Sequence, residues 1–458
     1  MERALEGSFA RRLGVLIQAL WGSQPLSRRA VTDRARLLLL DSLGCLIAGL
    51  RAPEVGGLLG ALEHGEPGPV RFPGRKVSLG VSAGALVAGA ATCWDEACEG
   101  LAGAHGRPGL HAFCALYAAA QADDSDLRGL LDALTVGFEV GGRLGAALRI
   151  QSGMHVDGTW GVFGAVAAIA RLLRTDAAQT LGALAGAACQ IPLSLYRPVA
   201  EGATVRNLYA GAAAARAWHH VLAAGAGVTS PFAAFEELDR VFVRSPDWVA
   251  LLEPDGAVDR TVDSPAPAGW LIENGYLKPY AGVRHTHYGV LAACRWAAEH
   301  GPAAAISRVR LEVYPEAVTY CGIRAPRSAI SAQFSASYAL AHALVFGELG
   351  PEAYGRERME EPEIRRLEAL VDLVADPLFG PRRGARLFVE TEGGEAVQYA
   401  VDTVPGDPGQ PLGEGEVVEK FIRYACPSLG EACSARLADA VVKGSLDQRI
   451  RALLQDAS

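Results

Sequence analysis

The amino-acid sequence predicts a mainly α protein, with a large all-α helical domain and a smaller α+β lid domain. Ala- and Leu-rich segments with helical spacing fill the first part of the chain. Alternation of apolar and polar residues then appears at 308–313, and a helical pattern returns at 415–456. We therefore expect residues 1–265, completed by 405–458, to form the all-α domain. Residues 266–404 are expected to form the lid, inserted before the C-terminal helices.

The helices of the first domain are predicted from their apolar spacing and their start signals. Ser125–Asp126 precedes one apolar run, and Asp176 is followed three residues later by Gln179, as in a capping box. Several of these segments are rich in Ala and Gly, whose small side chains let helix axes approach closely. The predicted helices are 28–50, 80–92, 126–148, 159–173, 176–188 and 207–224.

The pattern breaks at Asp263–Gly269, where Ser, Pro and Gly predict a domain boundary. Beyond it, residues 386–391 and 396–401 flank Gly393-Gly394 and predict a β-hairpin. The Pro- and Gly-rich residues 404–411 predict a second linker. Further helices are predicted at 287–299, 329–347 and 361–374.

The 458 residues carry 43 Lys+Arg against 51 Asp+Glu, a formal net charge of −8. This balance argues against a nucleic-acid binder that works through its overall charge. The most apolar run, Leu37–Leu50, contains Asp41 and is shorter than the ~20 residues of a membrane span, so no membrane partner is expected. The N-terminus lacks the features of a signal peptide, and nine Cys lie mostly in apolar segments. We expect a cytoplasmic protein with reduced thiols.

Four segments place ionisable residues beside Gly or Pro turns, where side chains can enter a cleft. Together they offer His as a proton shuttle, carboxylates as orienting groups, and Lys or Arg to hold substrate carboxylates. A single His is nevertheless more often a hydrogen-bonded structural residue than a catalytic one. The segments are Cys93–His111, Ser152–Thr159, Glu201–Gly211 and Lys278–His287.

A zinc site built from Cys93, Cys98, His105 and His111 is a weak alternative, because their spacing matches no standard ligand pattern. The chain also lacks a G-x-G-x-x-G after a strand, a Walker A motif and a G-x-S-x-G elbow. We therefore predict no metal site.

Six motifs follow one another along nearly the whole chain. They are Leu39–Gly44, Glu139 within Gly-Phe-Glu-Val, Gly153-Met-His155 with Thr159 and Gly161–Ala165, Lys278-x-Tyr280 with Arg284 and His287, Ala332–Tyr338, and Glu419–Phe421. In this order they resemble the motifs of the MmgE/PrpD family, which includes 2-methylcitrate dehydratase, cis-aconitate decarboxylase and iminodisuccinate epimerase.

The resemblance implies a large all-α domain with a smaller α+β lid, a homodimer, and a site between the two domains without a metal or organic cofactor. It also implies chemistry that creates or removes negative charge at a carbon beside a carboxylate. His would act as acid or base, while Lys, Arg and Tyr hold carboxylates or stabilise the developing charge. The positions that match the family's functional residues are His155, Lys278, His287 and Tyr338.

Four segments depart from the family's motifs and change the polar residues expected around the substrate. Asp95-Glu96-Ala97 stands for Asp-Asp-Thr, Arg107 for the His of His-Pro-Gly, and Arg206 for a Lys. Tyr280–Val283 stands for Tyr-Pro-Ser-Cys, and His105 is a candidate to replace the lost His. Arg can hold a carboxylate bidentately but is a poor proton donor. We therefore expect a retained scaffold with a diverged substrate site.

The leading hypothesis is a cofactor-independent lyase or isomerase acting on a small carboxylate by dehydration, decarboxylation or epimerisation. His155 would move the proton, Asp95 would orient or relay it, and Tyr338 would donate to the developing oxyanion. The catalytic candidates are His155, Lys278, Asp95 and Tyr338, and the substrate-binding candidates are Arg107, Arg206, His287, Arg284, Thr159 and His105.

Two alternatives stay open. One is a biosynthetic cyclase, dehydratase or isomerase for a larger natural-product intermediate, and the other is a non-catalytic binding protein on the same scaffold. A wide apolar pocket would favour the larger substrate, whereas a narrow pocket lined by several cations would favour a polycarboxylate. Despite the net charge of −8, we predict a cationic pocket from Arg107, Arg206, Lys278 and Arg284.

Overall fold

The computed structural model describes residues 8–254, 269–301, 306–379 and 383–455, and it confirms a mainly α fold. The first part of the chain forms a helical bundle with two short antiparallel β-ribbons. Its elements are α1 (Phe9–Trp21), α2 (Arg29–Gly49), α3 (Pro53–Glu63), β1 (Val70–Arg71), β2 (Ser78–Leu79), α4 (Val81–Cys93), α5 (Pro108–Asp123), α6 (Leu127–Ala147), β3 (Leu148–Ile150), α7 (Gly161–Leu172), α8 (Ala177–Cys189), α9 (Arg197–Glu201), α10 (Tyr209–Gly225), β4 (Phe242–Arg244) and α11 (Trp248–Leu251).

The six helices predicted in this part all occur, each with ends within two residues of the prediction. The side chain of Asp126 accepts from the backbone N–H of Gly129 at 2.8 Å and begins α6. Asp176 does the same for Gln179 at 2.7 Å and begins α8. Each carboxylate satisfies a backbone donor that the first turn of a helix leaves unpaired.

Close approach of helix backbones explains the high content of small residues. A Cβ on Gly89 of α4 would lie 2.3 Å from the backbone of Gly211 in α10. A Cβ on Gly164 of α7 would lie 2.9 Å from the carbonyl oxygen of Gly137 in α6. Only glycine lets these helix pairs pack at that distance, and this packing fixes the loops that follow α4 and precede α7 and α10.

The next part of the chain combines helices with a four-stranded sheet of order β6-β5-β7-β8, in which β5 pairs in parallel with β6 and antiparallel with β7. The predicted hairpin around Gly393-Gly394 joins β7 to β8. The elements are α12 (His287–His300), β5 (Ile306–Val313), α13 (Pro315–Cys321), α14 (Ala329–Gln333), α15 (Ala336–Phe346), α16 (Arg356–Met359), α17 (Pro362–Leu370), β6 (Val371–Ala375), β7 (Ala385–Thr391) and β8 (Ala396–Val401).

Two of the helices predicted in this part are wrong in extent. The helix predicted at 361–374 ends at Leu370, and the chain continues as β6, because pairing with β5 satisfies its backbone groups. A short apolar run cannot be assigned to helix or strand from periodicity alone. The helix predicted at 329–347 is broken at Phe334, because the Ser335 side chain accepts from the N–H of Tyr338 and begins α15.

The C-terminal helices are α18 (Glu414–Leu429), α19 (Glu431–Lys443) and α20 (Ile450–Gln455). Lys420 of α18 donates to the carboxylate of Asp41 in α2 at 2.6 Å, and both side chains are buried. Arg36 of α2 donates to the carbonyl of Val441 in α19 at 2.5 Å. These contacts return the end of the chain to the first helices.

The break predicted at 263–268 lies outside the described residues. The division into an all-α domain and an inserted lid therefore stays a prediction. Among the described residues, no helix combines the length and apolar character needed to span a membrane.

Candidate active site

A cavity of about 350 Å³ lies where the loops of the helical bundle meet the segment 276–285, α13 and Phe334. Its wall is partly apolar and aromatic and partly charged. The aromatic and apolar lining includes Leu101, Leu148, Ile150, Met154, Val156, Trp160, Tyr196, Tyr276, Val283, Tyr320 and Phe334. The ionisable lining comprises Glu96, His105, Arg107, Arg149, His155, Asp157, Arg206, Lys278, Arg284, His285, Glu316 and Arg383.

Two carboxylates hold three of the predicted cations together beneath this wall. Arg107 binds both oxygens of Asp157, one through Nε at 3.3 Å, and its Nη1 lies 3.0 Å from Glu96 Oε2. Arg206 donates to the same Glu96 oxygen, and Lys278 donates to Glu96 Oε1 at 3.0 Å. All five side chains are buried. The predicted cationic pocket is therefore largely neutralised from within the protein.

The cluster keeps both carboxylates ionised. Burial alone would raise the pKa of Glu96, but the charges of Arg107, Arg206 and Lys278 outweigh burial and hold that pKa well below its ordinary value. Burial is likewise outweighed at Asp157, whose pKa is lowered chiefly by Arg107. Both carboxylates are engaged by buried cations, so we assign them the role of holding those cations in place.

His155 lies on the cavity wall with a defined protonation state. Burial is the main cause that lowers the pKa of His155 to about 4; the charges of Arg206 and Arg107 act in the same direction, and Asp157 opposes them. Its Nδ1 accepts from the backbone N–H of Asp157 at 3.0 Å. A neutral imidazole whose Nδ1 accepts a hydrogen bond carries its proton on Nε2. His155 is therefore a hydrogen-bond donor at Nε2.

A second neutral imidazole, His285, lines the same cavity. Burial is the main cause that lowers the pKa of His285 to about 3, and the charges of Arg383 and other nearby cations contribute to this lowering. Its Nδ1 lies 2.6 Å from the hydroxyl of Tyr314, a group that can donate or accept. His285 stacks on Tyr320, with 5.7 Å between ring centroids. Tyr320 contacts Tyr196 edge-on at a centroid distance of 5.8 Å, and Tyr196 stacks on His155 at 6.2 Å. We call these four rings the aromatic row.

The other histidines of the candidate segments have different environments. His105 lines the cavity, in a left-handed backbone conformation with φ of 52°. His111 does not line the cavity, and its ring nitrogens contact the carbonyl of Arg107 at 2.9 Å and the N–H of Gly158 at 3.0 Å. His287 is also away from the cavity, since its ring nitrogens contact Arg284 and the carbonyl of Gly282. Two residues in a helical turn point in different directions, so His285 faces the cavity and His287 does not.

Three further candidates do not line the cavity. Asp95 faces Arg51 and Glu352 instead, and burial raises its pKa to about 6. Thr159 is fully buried and donates to the carbonyl of Val156 at 2.6 Å. Tyr338 is buried and donates to the carbonyl of Ala353. The geometry thus brings together Arg107, Arg206, Lys278, Arg284, His155 and His105 from the predicted set, and places Asp95, Thr159, Tyr338 and His287 outside it.

Several lining residues were not among the sequence candidates. Glu96 occupies the position expected for Asp95, and sequence alone does not show which of two adjacent carboxylates points inward. Asp157 lies two residues after His155, a spacing that could have signalled a contact. Arg149 and Arg383 belong to none of the motifs. Contacts between rings distant in sequence, such as Tyr196 and Tyr320, are set by the fold and cannot be read from the sequence.

The sulfur atoms of Cys93 and Cys98, the cysteines of the zinc alternative, accept hydrogen bonds from cations. Arg107 donates to Cys98 Sγ at 3.2 Å and to Cys93 Sγ at 3.1 Å, and Arg206 donates to Cys93 Sγ at 3.0 Å. Within the described ranges, no group of three or more His, Cys, Asp or Glu side chains is arranged to hold a metal ion.

The fold and the cavity together define a mainly α-helical protein with an enzyme-like small-molecule site, in which buried charges and neutral imidazoles meet an aromatic wall. The chain belongs to the MmgE/PrpD family: the model of the family's N-terminal domain matches residues 23–245, and that of its C-terminal domain matches 280–444. Members of this family are mostly lyases, of the dehydratase type. A comparison with curated proteins found no match.

Proposed function

We propose that this protein is a cofactor-independent lyase or isomerase that transfers a proton at a carbon beside a substrate carboxylate. The observation that carries the proposal is the pair of neutral imidazoles, His155 and His285, on the wall of one cavity. A neutral imidazole can donate a hydrogen bond, and it can also take a proton from carbon, in which case the imidazolium is offset by the negative charge that forms on the substrate.

His155 is assigned to the developing negative charge. When a proton leaves the carbon beside a carboxylate, charge accumulates on the carboxylate oxygens as an enediolate. The Nε2–H of His155 is a donor on the cavity wall for those oxygens. Fixed donors of this kind contribute about 2.7–4 kcal/mol each in well-studied enzymes.

His285 is assigned to the proton. When its Nδ1–H donates to the Tyr314 hydroxyl, Nε2 carries a free electron pair and can take the proton from the carbon. In a lyase of the dehydratase type, the C–H pair then forms the new C=C bond and the C–O bond breaks. The imidazolium of His285 gives its proton to the departing hydroxyl, which leaves as water, and the neutral ring is restored. In an isomerase the proton returns to carbon.

The cavity dimensions bear on the larger-substrate alternative. At about 350 Å³ the cavity lies near the lower end of the range of small-molecule sites, which favours a small acid over an extended natural-product intermediate. The aromatic row, however, favours a substrate with an apolar part. A non-catalytic binding protein on this scaffold would bind such an acid without exchanging its protons.

The test is proton exchange with solvent. The protein is incubated in D2O with hydroxylated, unsaturated and aryl-bearing carboxylic acids, and loss of each C–H signal is followed by proton NMR. We expect exchange or water elimination for at least one acid, and the same result for His64→Gln, which alters an exposed His outside the cavity. If no acid shows exchange, elimination or decarboxylation, the proposal is wrong.

A further inference from the structure

Two cations expected to bind substrate carboxylates, Lys278 and Arg107, use their N–H donors in hydrogen bonds within the protein. Lys278 donates to the carbonyl of Glu96 at 2.7 Å, to its carboxylate at 3.0 Å and to the carbonyl of Gly282 at 3.2 Å, which uses its three protons. Arg107 is engaged through all three nitrogens by carboxylates and thiols. A ligand carboxylate would have to displace these buried contacts to reach either cation.

The remaining cations of the wall differ in their pairing. Arg284 is ion-paired with Asp407, and Arg383 lies 3.8 Å from Glu316. Arg149 also lines the cavity, and its guanidinium has no hydrogen-bond or ion-pair partner in the described parts of the chain. It is the one cavity cation there of which this is true.

The setting of Arg149 is rigid and partly shielded from water. It is the central residue of β3, opposite Val243 of β4, so the ribbon fixes its backbone. The side chain is half-buried, and burial without a compensating acid lowers its pKa. Partial burial of an unpaired guanidinium costs free energy. An anion that binds to it forms charge-assisted hydrogen bonds that offset this cost, so the site favours an anionic ligand.

The wall offers an apolar surface in addition to this cation. The aromatic row, His155, Tyr196, Tyr320 and His285, spans one side of the cavity, and Trp160 and Phe334 are further rings of its lining. Flat apolar or aromatic groups pack well on such rings. A small tricarboxylate would leave this surface uncovered and, among the described residues, would meet one unpaired guanidinium.

We propose that Arg149 binds the carboxylate of the substrate, and that the substrate is a monocarboxylate with an aromatic or unsaturated apolar body packed on the aromatic row. The inference rests on the proposed function in that it takes this cavity as the substrate site. It assigns to Arg149 the carboxylate-binding role that the sequence predicted for Lys278 and Arg206, with Arg107 as a further anion contact.

The experiment measures equilibrium binding of three probes by calorimetry: 3-phenylpropanoate, its neutral amide, and the tricarboxylate propane-1,2,3-tricarboxylate. We expect the unsubstituted protein to bind 3-phenylpropanoate at least about tenfold more tightly than either other probe. Arg149→Gln should lose at least about tenfold in affinity for 3-phenylpropanoate, and Arg149→Lys should lose less. Arg216→Gln, which alters an exposed arginine of α10 outside the cavity, should bind as the unsubstituted protein does.

The outcomes separate this inference from the proposed function. Unchanged affinity of Arg149→Gln, tighter binding of the tricarboxylate, or no binding of 3-phenylpropanoate at 10 mM would each overturn the inference. The measurement needs no turnover, so it tests Arg149 independently of proton exchange. Arg149-dependent binding without exchange by any acid would overturn the proposed function alone.

Discussion

At the scale of single residues, a backbone N–H decides what His155 can do. The N–H of Asp157 donates to Nδ1 and so places the imidazole proton on Nε2. Sequence reasoning identified His155 as the residue that moves the proton, but a donor at Nε2 is better suited to hold an oxyanion. When the Nδ1–H of His285 donates to Tyr314, the free acceptor is Nε2 of His285, a residue that the family motif passes over in favour of His287. We therefore expect the proton to move at His285.

The raised pKa of buried Glu99, a residue with no role in the proposed reaction, can be tested through protein stability. Burial raises the pKa of Glu99 from 4.5 to about 8, so the folded protein keeps it protonated at neutral pH. Between these pH values unfolding releases its proton, and the free energy of unfolding falls as pH rises, by about 1.4 kcal/mol per pH unit from this residue. Glu99→Gln cannot titrate, so it should gain stability relative to the unsubstituted protein as pH rises.

Urea unfolding at pH 5.5, 6.5 and 7.5 measures this difference. We expect the advantage of Glu99→Gln to grow by more than about 1 kcal/mol over that range. Glu63→Gln, at an exposed position of α3, is the control and should show no such growth. A difference between Glu99→Gln and the unsubstituted protein that stays constant with pH would contradict the account.

Single residues also show where sequence reasoning about the site ends. It found Arg206, Lys278 and His155, since polar residues beside Gly or Pro in apolar surroundings stand out. It did not find the pairing of these cations with Glu96, because whether a carboxylate neutralises a cluster depends on side-chain direction. Nor did it find Arg149, whose importance comes from the absence of a side-chain partner within the part of the chain that the structure describes.

At the scale of elements, small residues determine how closely the helices pack. The sequence predicted this packing from the Ala and Gly content, and the contact between Gly89 of α4 and Gly211 of α10 is an instance of it. Helix α4 leads directly to Glu96, and α10 follows Arg206, so their spacing positions the charged cluster. Strand β6 was missed because its pairing with β5 is a tertiary contact that outweighs local propensity.

Gly89→Ala tests that spacing. The added Cβ would lie 2.3 Å from the Gly211 backbone, so the helices must separate, and we expect a loss of roughly 1–3 kcal/mol in the free energy of unfolding. Gly182→Ala in α8, where a Cβ meets no atom within 4 Å, is the matched control. It should stabilise by roughly 0.5–1 kcal/mol, the usual gain for Gly to Ala within a helix. Equal midpoints of denaturation for both variants would refute the close-packing argument.

At the scale of the whole molecule, the cavity is built from segments far apart in the chain. The helical bundle supplies Glu96 and His155, and the later α+β part supplies Lys278 and His285. The resemblance to the family implied a site between these parts of the chain. The hydrogen bond from Lys278 to the Glu96 carboxylate is one contact that joins them.

The association of two chains is a prediction at this scale, implied by membership of the family. The segment between α8 and α10 exposes Leu193, Leu195 and Val205, with more than 45% of each side chain accessible, and such apolar surface favours a partner. We expect light scattering after size exclusion to give twice the mass of the 48.0 kDa chain. A mass of one chain at micromolar concentration would contradict this expectation.

The central claim is that His285, as a neutral base in this cavity, moves a proton beside a carboxylate. The most direct test is the rate of solvent deuterium exchange into an accepted acid between pH 5 and 8, for the unsubstituted protein, His285→Gln and His64→Gln. With pKa values of about 3 for His285 and about 4 for His155, both rings stay neutral and the rate should be flat over this range. His285→Gln should lower the rate at least about a hundredfold, and His64→Gln should leave it unchanged. A rate that falls below pH 6.5, as for an ordinary histidine, or full exchange by His285→Gln would contradict the account.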